Sequence, residues 1–280
     1  MGRSPVAIGG IGGSGTRLIA SVLRDIGFFL GADLNEASDN LWFTLLFKRM
    51  ELWPLEENKE EISRALAIFL NLMNRQPLAT EDVIYVRQLT RQSRPKHPVE
   101  WLEDRVESII DSGSTEAIST VDGRWGWKEP NTHILLPALL QEVDDLKYIH
   151  VMRHGVDMAF SRNQNQLEFW GELLLGRTVN LNDPVDSLDY WCAVHRRVLE
   201  LTAEMGERFM MLNYDEFCQS PDRELPRLLA FLGVTTEEIQ LEDVIGNNLM
   251  PRSLERHKQF DISIFPQSDL DYVKLLGFSI

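Results

Sequence analysis

The sequence has 280 residues, of which 44% are hydrophobic and 25% are charged, and its formal net charge at pH 7 is −15. This composition predicts a globular protein with ample apolar side chains for a core, and the negative charge argues against non-specific binding to nucleic acid or to an anionic membrane. No run of about 18 apolar residues occurs, so we expect no transmembrane helix.

The N-terminus and the cysteines bear on the cellular location. The first ten residues contain no apolar stretch long enough for the core of a signal peptide. Cys192 and Cys218 show neither the spacing of a metal site nor a disulfide framework. We therefore expect a cytoplasmic protein in a reducing environment.

The first predicted elements are a strand, a glycine-rich loop and a helix. Residues 5–10, PVAIGG, form a short apolar run that ends in glycine, as is typical of a buried parallel strand. Apolar side chains then recur at helical spacing from Leu18 to Ile26, and Gly27 ends the predicted helix. This is the order of elements in which βα units bind nucleotide phosphates.

The loop of this unit has the glycine spacing of a phosphate-binding P-loop without its metal-binding residues. Gly10 and Gly15 are separated by four residues, but Thr16 replaces the lysine of the motif, and Arg17 replaces its magnesium-binding hydroxyl. Such a turn can also serve close packing alone. Here backbone N–H groups, a helix N-terminus and the Arg17 guanidinium favour an anion. We therefore expect a phosphate group to bind here without magnesium.

The region from about 40 to 120 is predicted to be helical. Its three amphipathic segments are LWFTLLFKRMELW (41–53), EEISRALAIFLNLM (60–73) and PVEWLEDRVESII (98–110), and a polar, basic connection precedes the third. None of them alternates as a strand does. We interpret the region as a helical insertion that acts as a lid.

Strand patterns return in the second half of the chain. Apolar strand-like runs occupy 124–128, 146–152 and 208–214. The first precedes the helical pattern THILLPALLQEV (132–143), and the second precedes a helix beginning near Asp157. A long helix over 185–206 leads into the third run. Alternating strands and helices predict a three-layer α/β/α fold around a mainly parallel sheet. We expect one P-loop-like domain spanning 1–280.

A second basic motif, VMRHGVDMAFS, stands where the 146–152 strand ends. Arg153 falls at the carboxyl end of this strand, where open parallel sheets bind ligands. Asp157 and Ser161 are one helical turn apart, so we expect them on the same helix face. Two other interpretations stay open: Arg153 pairs with Asp157, or Arg153-His154-Gly155 is the RHG motif of histidine phosphatases.

A nucleotide kinase would need an acidic residue at a strand end to hold magnesium. The two strand ends in question carry Lys128 and Arg153 instead. Basic residues thus replace both metal-binding groups of a kinase site. This pattern favours an anion site that works without a metal.

Four segments in order resemble the sulfotransferases that use 3′-phosphoadenosine 5′-phosphosulfate (PAPS), in particular their bacterial and glycan-type branches. GGSGTRLIASVL resembles their 5′-phosphosulfate loop, although Gly13 stands where a basic residue is usual. RHGVDMAFS is similar to their 3′-phosphate motif. WKEPNTHILLPALL and NYDEFCQSPDRELPRLLAFLG resemble the intervening and late segments of the family.

The resemblance implies a donor, PAPS, a product, 3′,5′-ADP, and no metal. It implies that the 5′-phosphosulfate is bound by the loop residues Gly12, Gly13, Ser14, Gly15, Thr16 and Arg17. It further implies that Arg153 and Ser161 bind the 3′-phosphate, that Lys128 neutralises the bridging oxygen, and that Tyr214 lies near the adenine. The acceptor would be a hydroxyl of a small molecule, glycan or lipid.

The base that deprotonates the acceptor is implied to be a glutamate shortly after the first helix, which corresponds to Glu36. Glu129 and His133, beside Lys128, are the alternatives. The late 3′-phosphate loop of the family has no clear counterpart, and the basic residues that would substitute for it or form a solvated tail are Arg252, Arg256 and Lys258. A P-loop kinase and a nucleotide-binding module without catalytic residues are the competing functions.

Overall fold

The computed structural model describes residues 4–92, 94, 96–112, 123–235, 241–247 and 254–280. Its strands are β1 (Val6–Gly10), β2 (Gly126–Lys128), β3 (Lys147–Met152) and β4 (Phe209–Asn213), which form one parallel sheet in the order β2-β1-β3-β4. This sheet and its flanking helices confirm the predicted α/β fold.

The α-helices of the described ranges are α1 (Thr16–Asp25), α2 (Leu41–Phe47), α3 (Lys59–Met73), α4 (Thr80–Gln88), α5 (Val99–Asp111), α6 (Leu136–Glu142), α7 (Gly155–Ala159), α8 (Asn165–Leu175), α9 (Pro184–Thr202), α10 (Tyr214–Gln219), α11 (Pro221–Leu232), α12 (Leu241–Asn247) and α13 (Gln267–Leu275). None of them is long and apolar enough to cross a membrane. Short 3₁₀ helices lie at 50–52, 89–91, 130–134, 206–208 and 256–259.

The chain divides into two compact units. The first comprises Met1–Ile8 and Leu23–Lys147, and the second comprises Gly9–Val22 and Tyr148–Ile280. A single domain over 1–280 stays a prediction.

The first unit is built around an aromatic core. The rings of Phe43 on α2 and Phe69 on α3 have centroids 5.3 Å apart, and Phe69 lies 5.3 Å from Trp127 of β2. The predicted helix over 41–53 is interrupted, because Lys48 leaves helical geometry (φ −79°, ψ 66°) after α2 ends. Helix α4 was not predicted. The lid role of this helical region stays a prediction.

The second unit is organised around α9, against which α7, α8 and α13 pack. Trp191 of α9 donates a hydrogen bond from its indole N–H to the carbonyl of Arg153 at 3.1 Å. Gly155 leaves room for this ring, since a Cβ there would approach it to 3.0 Å. The core of the unit thus fixes the backbone at the end of β3.

Candidate active site

The glycine-rich loop connects β1 to α1 within the second unit, as predicted. The Ser14 N–H donates to Ile11 O at 2.9 Å, and the Leu18 N–H donates to Gly15 O at 3.0 Å, so the loop is tightly turned. Gly13 and Gly15 have φ values of +95° and +98°, in the region that favours glycine.

Ser14 carries an unsatisfied polar atom inside this loop. The side chain is 2% exposed, and its Oγ has no hydrogen-bond partner among the described residues. A buried hydroxyl of this kind costs free energy unless it finds a partner. A bound anion at the loop would supply a hydrogen-bond partner for this hydroxyl. The Arg17 side chain, in contrast to Ser14, is exposed.

Tyr214 packs directly against the loop. It follows β4, where the Asn213 side chain accepts hydrogen bonds from two N–H groups of the first turn of α10 and so fixes the position of that helix. A Cβ on Gly15 would overlap the Tyr214 ring. The absence of a side chain at Gly15 is therefore what allows this contact.

Arg153 contacts the same loop from the end of β3. Its Nη1 donates to Gly13 O at 3.4 Å, and its guanidinium carbon lies 5.3 Å from the centre of the Tyr214 ring. The loop, Arg153 and Tyr214, which the sequence pattern named separately, are thus brought together within the second unit. Arg153 is 7% exposed, so its charge acts in a largely desolvated place.

Asp157, the alternative partner predicted for Arg153, is held by His257. Its Oδ1 accepts hydrogen bonds from the N–H and from Nδ1 of His257, both at 2.7 Å, and Arg256 donates to its carbonyl at 3.2 Å. Burial raises the pKa of Asp157, but the hydrogen bonds from His257 outweigh it and leave that pKa lowered. Arg256 therefore contacts the motif, while exposed Lys258 pairs with Glu255 at 2.8 Å. Arg252 lies outside the described residues.

Both ring nitrogens of His154 form hydrogen bonds within the protein. Nε2 donates to Ser279 O at 2.7 Å, Nδ1 accepts from the Val156 N–H at 3.2 Å, and the ring stacks on His257 with centroids 3.9 Å apart. Burial lowers the pKa of His154. Within the described ranges His154, Asp157 and His257 are close enough to share a metal ion, but these hydrogen bonds occupy the nitrogens of His154. The same bonds leave no free nitrogen for a phosphohistidine.

Ser161 does not share a helix face with Asp157, so that prediction is wrong. Helix α7 ends at Ala159, and Ser161 lies in the following turn, where its Oγ accepts from the Asn163 N–H at 3.2 Å. The reason is Gln164, whose side-chain amide donates to Met158 O at 3.1 Å and to Ser161 O at 2.8 Å. These bonds satisfy carbonyls that another helical turn would have used.

Lys128, in the first unit, ends β2 and is held by a loop that sequence patterns did not identify. Its Nζ forms an ion pair with Asp39 and donates to Ala37 O at 3.1 Å. The lysine is 2% exposed. Asp39 had no distinguishing signal in the sequence, since a lone loop aspartate is ordinarily a solvated residue.

The three candidate bases have different environments. Glu36 is exposed on the loop that contacts Lys128, whereas His133 is fully buried. Glu129 is 3% exposed and accepts hydrogen bonds from the N–H and the side-chain amide of Asn131 at 2.5 and 2.8 Å. Burial and the charge of Asp39 raise the pKa of Glu129 to about 7. Glu36 is therefore the most accessible of the three.

Known proteins resemble this chain in fold and in family. The chain resembles in structure the sulfotransferase domain of the Synechococcus PCC 7002 olefin synthase, with 16% identity, a TM-score of 0.54, and coverage of 100% of this chain and 96% of that one. It similarly resembles the sulfotransferase domain from the curacin biosynthetic pathway, with 16% identity, a TM-score of 0.54, and coverage of 99% and 98%. No curated protein matches the sequence. A model described as the sulfotransferase family matches residues 5–238, and the chain belongs to that family.

Proposed function

We propose that this sulfotransferase transfers a sulfuryl group from PAPS to an acceptor hydroxyl, without a metal ion. The observation that supports this donor best is the arrangement in the second unit: a glycine loop with the buried Ser14 hydroxyl, contacted by the Arg153 guanidinium. A buried donor and a desolvated cation are the groups that bind a phosphate oxyanion.

In the proposed reaction the acceptor oxygen forms a bond to sulfur. The bond between sulfur and the bridging oxygen breaks, and its electron pair stays on the 5′-phosphate of the leaving 3′,5′-ADP. The hydroxyl proton goes to a base. The bridging oxygen therefore gains negative charge during the transfer, and positioned cations and N–H groups stabilise it.

The residues of the second unit are proposed to bind the donor. Residues 12–17 would contact the 5′-phosphosulfate end, and Arg153 and Ser161 would contact the 3′-phosphate. Tyr214 is proposed to lie near the adenine, and its ring packs on the loop and lies beside the Arg153 guanidinium. The loop, Arg153 and Tyr214 each follow directly on a strand, the usual position of ligand-binding residues in parallel sheets.

Two residues of the first unit are proposed to act on the reacting oxygens. Lys128 would neutralise the negative charge that develops on the bridging oxygen. Its ammonium is held in place by two acceptors. Glu36 would accept the hydroxyl proton. Glu36 is exposed one residue before Ala37, whose carbonyl binds Lys128, whereas the carboxylate of Glu129 is engaged by Asn131.

The proposal is tested by turnover. The protein is incubated with PAPS labelled on the sulfuryl group, EDTA and a panel of alcohols and phenols, and the release of 3′,5′-ADP and labelled product is measured. We expect both in the presence of EDTA. Labelled transfer from ATP that requires magnesium would instead support a kinase, and binding of 3′,5′-ADP without turnover would support a module that has lost its activity.

Glu36→Gln tests the proposed base, with Glu57→Gln, a carboxylate placed in no role here, as the control. The substitution keeps the shape of the side chain and removes its basicity, so turnover should fall on the order of 10²–10⁴-fold while 3′,5′-ADP affinity is retained. Near-normal turnover in Glu36→Gln would exclude Glu36 as the base.

A further inference from the structure

The loop beside Lys128 contains a residue that no sequence motif identified. We infer that Asp39 is a positioning residue for sulfuryl transfer: it holds the Lys128 ammonium in one orientation at the end of β2, and Asn35 in turn holds Asp39. This inference rests on the role proposed above for Lys128.

The Lys128 ammonium has more hydrogen-bond donors than the loop occupies. An ammonium has three N–H donors and no acceptor. Asp39 and the carbonyl of Ala37 take two of these donors. Among the described residues no third acceptor contacts Nζ, so one N–H is left for an oxygen of a substrate.

The orientation of Asp39 is itself fixed by hydrogen bonds. Its other carboxylate oxygen accepts a hydrogen bond from the Asn35 side-chain amide at 2.8 Å. The side-chain oxygen of Asn35 accepts from the backbone N–H groups of Asp39 and Ala37, at 2.8 and 2.9 Å. Ser38, between them, has a φ of +61°, which closes the turn. The loop therefore fixes both acceptors of Lys128 at once.

The same loop is also hydrogen-bonded to the backbone at the end of β2. The Asn40 N–H donates to the carbonyl of Lys128 at 2.7 Å. Asn40 is fully buried, its amide donates to Leu30 O at 3.0 Å, and its oxygen accepts from the first turn of α2. The backbone of Lys128 and the loop that binds its side chain thus move together.

This arrangement matters because a lysine side chain is a flexible stem with a compact charge at its end. Stabilisation of a developing charge depends on groups that are oriented before the reaction begins. Without Asp39 the ammonium would sample several orientations, and only some would direct its remaining N–H toward the substrate. Turnover should then fall while the donor still binds.

The test uses Asp39→Asn in the full-length protein, with 3′,5′-ADP release from PAPS as the assay. We expect kcat to fall about 10- to 100-fold, the scale of a misplaced catalytic group, and KM for PAPS to change less than about 2-fold. Asp39→Glu should restore part of the rate. The matched control is Asp33→Asn, since Asp33 is a similarly sheltered carboxylate that pairs with Arg105 at 3.2 Å. The control should retain kcat.

A double-mutant comparison separates positioning from an independent role. If Asp39 acts through Lys128, Asp39→Asn should lower turnover less than about 2-fold in the Lys128→Ala background. An equal loss in both backgrounds would show that Asp39 acts on its own, for instance as the base, and would overturn the inference.

A second readout does not need turnover. Acetylation of Lys128 by acetic anhydride, followed by peptide mass spectrometry, reports how well the ammonium is held. Asp39→Asn should increase labelling at Lys128 several-fold and Asp33→Asn should not; unchanged labelling in Asp39→Asn would overturn the inference. If wild-type protein neither binds 3′,5′-ADP nor releases it from PAPS, the proposed function fails, and labelling still decides whether Asp39 holds Lys128.

Discussion

At the scale of single residues, the backbone conformation of Gly13 constrains which residue can stand at this position of the loop. Its φ of +95° strains any side chain, although a Cβ there would meet nothing closer than 3.6 Å. The conformation, not the space, favours glycine. The Arg153 guanidinium donates to the carbonyl of this residue, which ties the loop to the end of β3.

Gly15 is constrained both by its positive φ and by the Tyr214 ring, so its substitution tests whether the packing of the loop matters for binding. In Gly15→Ala the new methyl group overlaps the Tyr214 ring as well as adopting a φ of +98°, so the loop or the ring must move. We expect a loss of thermal stability and at least a tenfold loss of 3′,5′-ADP affinity, measured by thermal shift and calorimetry.

Gly233→Ala is the matched control for this substitution. Gly233 has a φ of +69° and nothing within 4 Å of its Cβ position, so it suffers the backbone strain alone. It should lose about 1 kcal/mol of stability and keep its affinity for 3′,5′-ADP. If the two variants bind equally well, close packing at Gly15 is not important for the site.

The sequence identified residues whose roles depend on local motifs and missed those that depend on distant contacts. Gly15 and Arg153 follow strands in recognisable patterns. Asp39 contacts a lysine 89 positions away, and His257 contacts Asp157 across 100 positions. No spacing rule connects such pairs, because tertiary packing alone brings them together.

At the scale of elements, buried parallel strands and the βα unit were predictable, since apolar runs ending in glycine or a basic residue stand out. Helix ends were less predictable. The predicted helix over 132–143 begins only at Leu136, because the Glu129 carboxylate accepts the Asn131 N–H and starts a 3₁₀ turn over 130–134. Such side-chain caps compete with regular helical hydrogen bonds.

The end of α7 gives an element-scale test. Gln164→Glu keeps the size of the side chain but removes the amide that donates to Met158 O and Ser161 O. The turn that carries Ser161 should loosen, with faster amide hydrogen exchange over 160–164 and about a 3- to 10-fold loss of 3′,5′-ADP affinity. Gln141→Glu, which adds the same charge at an exposed position of α6, is the control. Unchanged exchange in Gln164→Glu would show that the amide does not end the helix.

At the scale of the whole molecule, buried histidines set the dependence of stability on pH. Burial lowers the pKa of His195 from 6.5 to about 4. Burial and the charges of Lys48 and Arg94 lower that of His97 to about 4. Below about pH 6.5 these two histidines therefore bind protons in the unfolded chain, whereas in the folded protein they do so only near pH 4.

The free energy of unfolding should consequently fall as the pH drops through this window. His195 alone accounts for a loss of about 3 kcal/mol. Glu129 acts in the opposite sense: its pKa is raised from 4.5 to about 7, so its contribution is present below 4.5 and is lost as the pH rises through 7. Urea unfolding between about pH 7.5 and 4.5 measures the sum, and stability that rises steadily on acidification would contradict it.

Because the overall charge is −15, an anion binds to this protein only where basic groups are gathered. We propose that Arg153 and the loop form such a place for a nucleotide with a 3′-phosphate. Calorimetric titration with 3′,5′-ADP and with 5′-AMP, in EDTA, tests this binding without an acceptor.

For wild-type protein we expect 3′,5′-ADP to bind roughly 2–4 kcal/mol more tightly than 5′-AMP, which is about 30- to 700-fold. Arg153→Ala should abolish most of that difference and leave 5′-AMP nearly unchanged, whereas Arg223→Ala, which removes an exposed arginine paired with Glu224, should change neither. Equal affinity of the wild-type protein for 3′,5′-ADP and 5′-AMP would contradict the assignment of the donor.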